Sequence, residues 1–418
     1  MATKYKDSGI PWIGDIPSDW EVCRLKNLHT DSNVGESIDK SFCSDNPNDT
    51  LFYTAGVKPI HTTYLDFPEW KYTQKSNLLL SRNGTPYVYI PIEGAVYSDH
   101  IIRIDINNNC SKEFVRYCLQ QSIASEVVDS VSIATWSMSL WNKQILPFPP
   151  LSTQQRIADF LDRKCAEIDE LAALQETMIV ELKRYKQSVI TEAVTKGLDL
   201  NAAMKDSGVE WIGKIPEGWE VKKVKNVTTA ITKGNGITKE DVFDDGDTPC
   251  VRYGEIYSKY DNSFVACISK TKKDVLSTLH YFGNGDILCA GTGELVEEIG
   301  KSIVYLGENQ CLAGGDIIVL CHNQNPLFLN FALNSRYAQA QKSCSKAKLK
   351  VVHISAYDIG SILIALPSLS EQRAIADYLD KKCAEIDELI AIKQQKIEAL
   401  KEYKKSVIFE YVTGKRVL

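Results

Sequence analysis

The sequence predicts an α+β protein: two similar mixed α/β domains in pseudo-two-fold arrangement, separated by two long antiparallel helices that form a coiled coil. Three observations predict it. Residues 151–197 return without a gap at 369–415, with 28 of 47 positions identical. Residues 6–28, KDSGIPWIGDIPSDWEVCRLKNL, return at 205–227 as KDSGVEWIGKIPEGWEVKKVKNV, with 14 of 23 identical. The segments between, 30–150 and 229–367, share only faint echoes. A repeat unit of about half the chain implies two tandem copies of one fold, because solenoid units are far shorter. The expected boundaries are 1–150 for the first domain, 151–197 for the first helix, 198–368 for the second domain and 369–418 for the second helix.

The opening segments carry Gly and Pro turn signals. Each also carries two tryptophans eight residues apart, Trp12 and Trp20, then Trp211 and Trp219. Their size makes them expected anchors on a core rather than base-stacking surfaces. In the middle regions the runs YVYIPI, HIIRIDI, KSIVYL and DIIVLC are β-branched and aromatic between Gly and Asn, so they read as strands. Residues 114–128 and 326–341 read as helices. Three echoes tie the two middles together. They are a glycine loop (Gly35 against Gly234), a short β-like run (51–54 against 250–253), and a strand with its loop (77–84 against 285–293). Proline-containing junctions, ILPFPP and IALPS, lead into each long helix, where proline ends a strand ladder and favours a helix start.

In the first long helix apolar residues recur at Ile157, Leu161, Cys165, Ile168, Ala172, Ile179, Leu182 and Val189. In the second they recur at Ile375, Leu379, Cys383, Ile386, Ile390, Ile397, Leu400 and Val407. Steps of four and three are the period of a coiled-coil seam. The expected pairing residues are Leu161, Cys165, Ile168, Ile179 and Leu182 with Leu379, Cys383, Ile386, Ile397 and Leu400. About 40 residues at 1.5 Å each give a rod of about 60 Å. Gln175 and Lys393 share one polar slot, and Lys186 and Lys404 another; polar seam residues fix register and partner at some cost in stability. Ser152 and Ser370 are expected N-caps. The alternative is that each helix packs on its own domain.

The 418 residues carry a net charge of −6 and contain twelve cysteines without a C-x-x-C pair. This argues against a zinc ribbon and against a disulfide framework. Cys165 and Cys383 share a seam slot and read as packing residues. No apolar run approaches the ~18 residues of a membrane span. No signal-peptide pattern opens the chain, so a cytoplasmic protein is expected. Enzyme motifs are missing. Ile299-Gly300-Lys301-Ser302 resembles the end of a phosphate loop, but Leu295 stands where its first glycine belongs. There is no F-x-G-x-G, no Asn-Pro-Pro-aromatic, no H-E-x-x-H and no G-x-S-x-G. The six histidines have no metal spacing.

Nucleic acid feels the local face of a protein more than its net charge. Candidate contacts in the first half are Lys71, Lys75, Arg82, Asn83 and Arg103, with Trp136 and Trp141 near them in sequence. Arg82-Asn83 follows a strand on a glycine loop, and Arg suits guanine as Asn suits adenine. In the second half the candidates are Lys233, Lys239, Arg252, Tyr253 and Thr292, the last in the loop that echoes Arg82-Asn83. The densest basic segment is KSCSKAKLK, with Lys342, Lys346, Lys348 and Lys350, suited to phosphates.

Together the two openings, the junctions LPFPPLSTQQRIADFLD and IALPSLSEQRAIADYLD, and the two helices resemble the specificity (S) subunit of type I restriction–modification enzymes over nearly the whole length. GTGELVEEIGKS keeps that family's glycines, whereas RNGTPYVYIPIEG is looser. The resemblance implies that each domain is a target-recognition domain reading one half of a split double-stranded DNA site. It implies that the helices act as a ruler setting an unread spacer. Two methyltransferase (M) subunits would methylate an adenine in each half-site, and two motor-nuclease (R) subunits would complete the restriction complex. S-adenosylmethionine, ATP and magnesium would belong to those partners, this chain being non-catalytic, with no cofactor, no metal and no membrane association of its own. The competing reading is a coiled-coil scaffold that assembles partners without reading DNA.

Overall fold

A computed structural model describes residues 4–84, 86–126, 135–234, 236–276, 278–293, 299–343 and 352–418. It divides into two units, Met1–Gln175 with Gln395–Leu418, and Glu176–Gln394. The two long helices run Leu151–Lys196 and Leu369–Val412. Each stops at a glycine, Gly197 at φ +74° and Gly414 at φ +70°, the left-handed conformation that terminates helices at little steric cost. Both helices begin one residue before the serines expected to cap them. Ser152 and Ser370 lie inside the first turn, and Ser368 takes the capping role in the second helix by accepting from the Glu371 amide at 3.3 Å.

In the first unit a four-stranded antiparallel sheet has the order His29–Val34, Ile101–Ile106, Asn77–Ser81, Val88–Tyr89. Asn77–Ser81 is buried at all five positions, as its unbroken apolar centre requires of a strand covered on both faces. A second small sheet pairs Thr50–Tyr53 in parallel with Val96–Tyr97. The helix Lys112–Glu126 supplies Phe114, Tyr117 and Leu119 to the core. The same cluster contains Ile157, Leu161 and Cys165 from the start of the first long helix. It also contains Val407, Ile408, Tyr411 and Val412 from the end of the second.

The second unit repeats this plan. Its five-stranded sheet has the order Thr228–Lys233, Ile317–His322, Ile287–Ala290, Ser302–Tyr305, Ser263–Phe264. Thr248–Val251 pairs in parallel with Cys311–Ala313 in a second sheet. The helix expected over 326–341 is two, Pro326–Leu333 and Arg336–Ser343. Between them the Asn334 amide turns aside to bond both the N–H and the C=O of Ser302, at 3.0 and 2.7 Å. The core joins this layer to Ile190, Ala193 and Val194 from the end of the first long helix and to Ile375, Leu379 and Cys383 from the start of the second.

Within each unit, therefore, one end of each helix packs both on the other helix and on the domain. Polar seam positions hold the pair. Lys404 reaches Asp169 at 2.6–2.7 Å in the first unit, and Lys186 reaches Asp387 at 2.5–2.7 Å in the second. The two aspartates occupy one repeat position and the two lysines another. Cys165 and Cys383 are buried, and burial pushes both thiols up. Both tryptophans of the first pair pack on the core, Trp12 from its edge, but only Trp219 of the second pair does. Trp20 and Trp219 are buried, whereas Trp211 is exposed and Trp12 half-buried.

Two glutamines fasten the helix starts. Gln154, fully buried, accepts from the Ser111 amide at 2.9 Å and donates to the Pro149 carbonyl at 2.8 Å. Gln372, its repeat partner, accepts from the Asn325 amide at 3.0 Å and donates to the Pro367 carbonyl at 3.0 Å. Each ties the first turn of a long helix to the chain entering a domain helix, at Lys112 or Pro326. This is a physical reason for the shared Leu-Ser-x-Gln.

Candidate nucleic-acid interface

In each unit the same backbone scaffold gathers loops at one end of the main sheet. Gly35 N–H donates to the Ile101 carbonyl at 3.1 Å, and Gly234 N–H to the Ile317 carbonyl at 2.9 Å. A Cβ on either glycine would lie 2.1 Å from a backbone carbonyl oxygen, of Tyr97 or Gly314, so nothing larger fits. After the central strand, Arg82 N–H donates to the His100 carbonyl at 2.7 Å, and Gly291 N–H to the Asp316 carbonyl at 2.6 Å. The carbonyls of Arg82 and Gly291 in turn accept from the amides of Trp136 and Ile354, at 2.7 and 2.9 Å. The backbone repeats while the side chains upon it differ.

On this scaffold the first unit presents Arg82 and Asn83. Arg82 is exposed, with its guanidinium 3.5 Å from the Asp99 carbonyl. The Asn83 amide nitrogen meets His100 Nδ1 at 2.7 Å. Two other candidates do not reach the surface. Arg103 is buried and spans the sheet, donating to the Trp70 carbonyl at 2.8 Å and to Asp31 and Asp105 at 2.7 and 3.3 Å. Lys71 is buried beneath the Gly35 loop, bonded to the Val34 carbonyl and Asn33, with its ammonium 4.3 Å from the Trp70 ring centre. Burial lowers its pKa. Both hold the loops in place instead of facing a ligand, because a buried charge must spend its donors on internal partners. Trp136 and Trp141 meet at 5.0 Å with their rings inclined by 49° inside the core, the Trp141 indole N–H donating to the Ser81 carbonyl at 3.1 Å.

In the second unit Lys233 is exposed, with its ammonium 4.0 Å from Asp316. Arg252 and Tyr253 line an open cleft of about 570 Å³ together with Thr238, Lys239 and Lys259. Arg252 is held by Glu255, its Nε and Nη2 donating to Oε1 at 3.1 and 3.0 Å. Ser269 donates to the same oxygen at 2.6 Å. The fork is thus pre-set and part of its donor capacity is already used. Tyr253 is exposed. Thr292 Oγ1 lies 3.0 Å from His353 Nδ1, and its carbonyl accepts from the Tyr257 hydroxyl at 3.1 Å.

Lys342 overturns its sequence reading. It is buried, donates to the carbonyls of Gly300 and Leu333 at 2.6 and 2.8 Å, and is pushed down to about 8 by burial. It is a strut inside the domain. Lys346, Lys348 and Lys350 lie outside the described residues. Of the helix-pairing residues, Leu161, Cys165, Ile168, Leu379, Cys383, Ile386 and Ile397 are buried, and Ile179, Leu182 and Leu400 are half-buried. Sequence reasoning passed over Lys259, His100 and His353, which carry no motif. It also passed over Gln154 and Gln372, although their identity in both copies was a usable signal. Among the described residues no cluster of three or more His, Cys, Asp or Glu could hold a metal, and no helix is long and apolar enough to cross a membrane.

Comparison with known proteins completes the picture. Residues 17–182 and 216–402 match a family model described as the type I restriction modification DNA specificity domain. The type I restriction enzyme MjaVIII specificity subunit of Methanocaldococcus jannaschii is 24% identical across 96% of this chain and 93% of its own length. The EcoKI specificity subunit of Escherichia coli K12 is 28% identical across 49% of this chain and 44% of its own. In structure, a chain solved in work on complex assembly and conformational transition of the type I R-M system has a TM-score of 0.72 at 16% identity, over 96% of this chain and 99% of that one. The HsdS subunit of Thermoanaerobacter tengcongensis has a TM-score of 0.51 at 16% identity, over 96% and 98%. At these identities the structural likeness speaks to the fold.

Proposed function

The chain belongs to the type I restriction–modification DNA specificity family, and on that premise we propose that it is the DNA-reading subunit of such a complex, each unit recognising one half of a split site. The observation that carries this reading is the repeated loop scaffold dressed with different side chains: Arg82, Asn83 and His100 in one unit, Thr292 and His353 in the other. One backbone presented twice suits two half-sites, and different side chains suit two different sequences. Around each scaffold, exposed Arg82 on one side and Lys233, Lys239 and Lys259 on the other supply phosphate contacts, which position a duplex without specifying it.

The helices act as the ruler. Each runs unbroken and contributes one end to each unit. The paired Lys404–Asp169 and Lys186–Asp387 bridges lock the register that sets the spacer. The chain itself transfers no methyl group. Two methyltransferase subunits methylate an adenine in each half, two motor-nuclease subunits cleave, and S-adenosylmethionine, ATP and magnesium act in those partners.

Footprinting the complex of this chain with its methyltransferase on its target tests the reading. Two protected blocks whose base identity matters, flanking a block whose identity does not, are expected. A single continuous specified block, or methyl transfer by the chain without a partner, would overturn it.

A further inference from the structure

We propose that His100, oriented by Asn83, reads a base-edge acceptor and so rejects cytosine at one position in the half-site of the first unit; this rests on the DNA-reading function above. His100 is exposed, on the turn directly before the strand Ile101–Ile106. Two contacts fix it. Its backbone carbonyl accepts from the Arg82 amide at 2.7 Å, and its ring Nδ1 meets the Asn83 amide nitrogen at 2.7 Å. An amide nitrogen can only donate, so Nδ1 is the acceptor and the hydrogen of the neutral ring sits on Nε2. The outer edge of the ring is therefore an N–H donor. The major-groove acceptors it suits are purine N7, guanine O6 and thymine O4, whereas cytosine offers only a donor there. Asn83 is the positioning residue, and Arg82 beside it is the charged neighbour that draws the phosphate or a second base edge.

The second unit supports this independently. An imidazole again sits against the second residue of the same loop, His353 Nδ1 at 3.0 Å from Thr292 Oγ1. It arrives from a different segment of chain: His100 precedes the strand paired with Asn77–Ser81, while His353 lies on the strand Val352–His353 paired with Thr292–Gly293. The same feature reached by two routes is not explained by shared backbone alone.

The test is a methylation map of cells carrying the full chain with its methyltransferase partner, for wild type, H100A, H100Q and N83A. H100A should abolish the discrimination against cytosine at one position of the first half-site, raising methylation of the cytosine-containing sites at least tenfold. The other positions, the second half and the spacer should stay unchanged. H100Q, whose amide can still present a donor, should keep part of the discrimination against cytosine, and N83A should weaken it at that same position. An H100A map identical to wild type overturns the proposal. So does a uniform loss of methylation at all sites, which would mark a purely structural or phosphate-binding role. A wild-type map without a split motif would instead remove the underlying function, a result distinct from either.

Discussion

Gln154→Leu removes both hydrogen bonds that fasten the start of the first long helix to its domain. Gln154 is fully buried, so no water replaces it at once; the Ser111 amide and the Pro149 carbonyl lose their partners. Each unpaired buried backbone group costs about 1–3 kcal/mol. The added apolar side chain returns about 1–2 kcal/mol. The net expectation is a loss of about 1–4 kcal/mol confined to the first unit. The assay is urea unfolding of the full chain with hydrogen exchange followed peptide by peptide. Exchange across residues 107–116 should accelerate by about 10- to 1,000-fold, since every 1.4 kcal/mol is tenfold. Peptides across 321–330, held by Gln372, should not change. Gln372→Leu should produce the mirror result. Unchanged protection at 107–116 in the first variant would refute the role assigned to these glutamines.

Three further outcomes are expected. Lys239→Ala should lower the salt dependence of DNA binding by about one unit of slope, as loss of one phosphate contact does, while Lys342→Met should leave the slope unaltered. Burial holds the Lys342 ammonium at about 8 in the fold, below its ordinary value of 10.5. The unfolded chain therefore binds more protons between those values, and stability should rise as pH climbs from about 8 to about 10.5, with no contribution to the slope below. Subtracting the Lys342→Met urea midpoints from those of wild type isolates this component. Inserting four residues into both long helices, after Gln175 and after Lys393, adds about 6 Å of helix. That should lengthen the unread spacer by about one or two base pairs at about 3.4 Å each without altering either half-site, as read by the methylation map.

The duplication and the long helices were legible because they rest on local, repeated chemistry: four-three apolar spacing, glycine stops, and the identical Trp20 and Trp219 that pack under them. Gly35 and Gly234 were visible as an echo, and their reason emerged only with the carbonyls that crowd them. The surface was less legible. Lys71, Arg103 and Lys342 have the composition of DNA contacts. Whether a lysine reaches water depends on where a distant segment runs, Gly300 over Lys342 or Val34 over Lys71, and no local pattern records that. Ser152 and Ser370 misled by two residues, since the caps fall at Pro150 and Ser368, directly before each helix. His100 gave no signal at all, because its partner Asn83 lies across a strand pairing.

The most direct measurement is to sequence methylated adenines in cells that co-express this chain with its methyltransferase subunit. One motif is expected, of two fixed, different halves separated by a gap of constant length and free sequence. A continuous motif, or an assembled complex that methylates without any motif, would contradict that expectation.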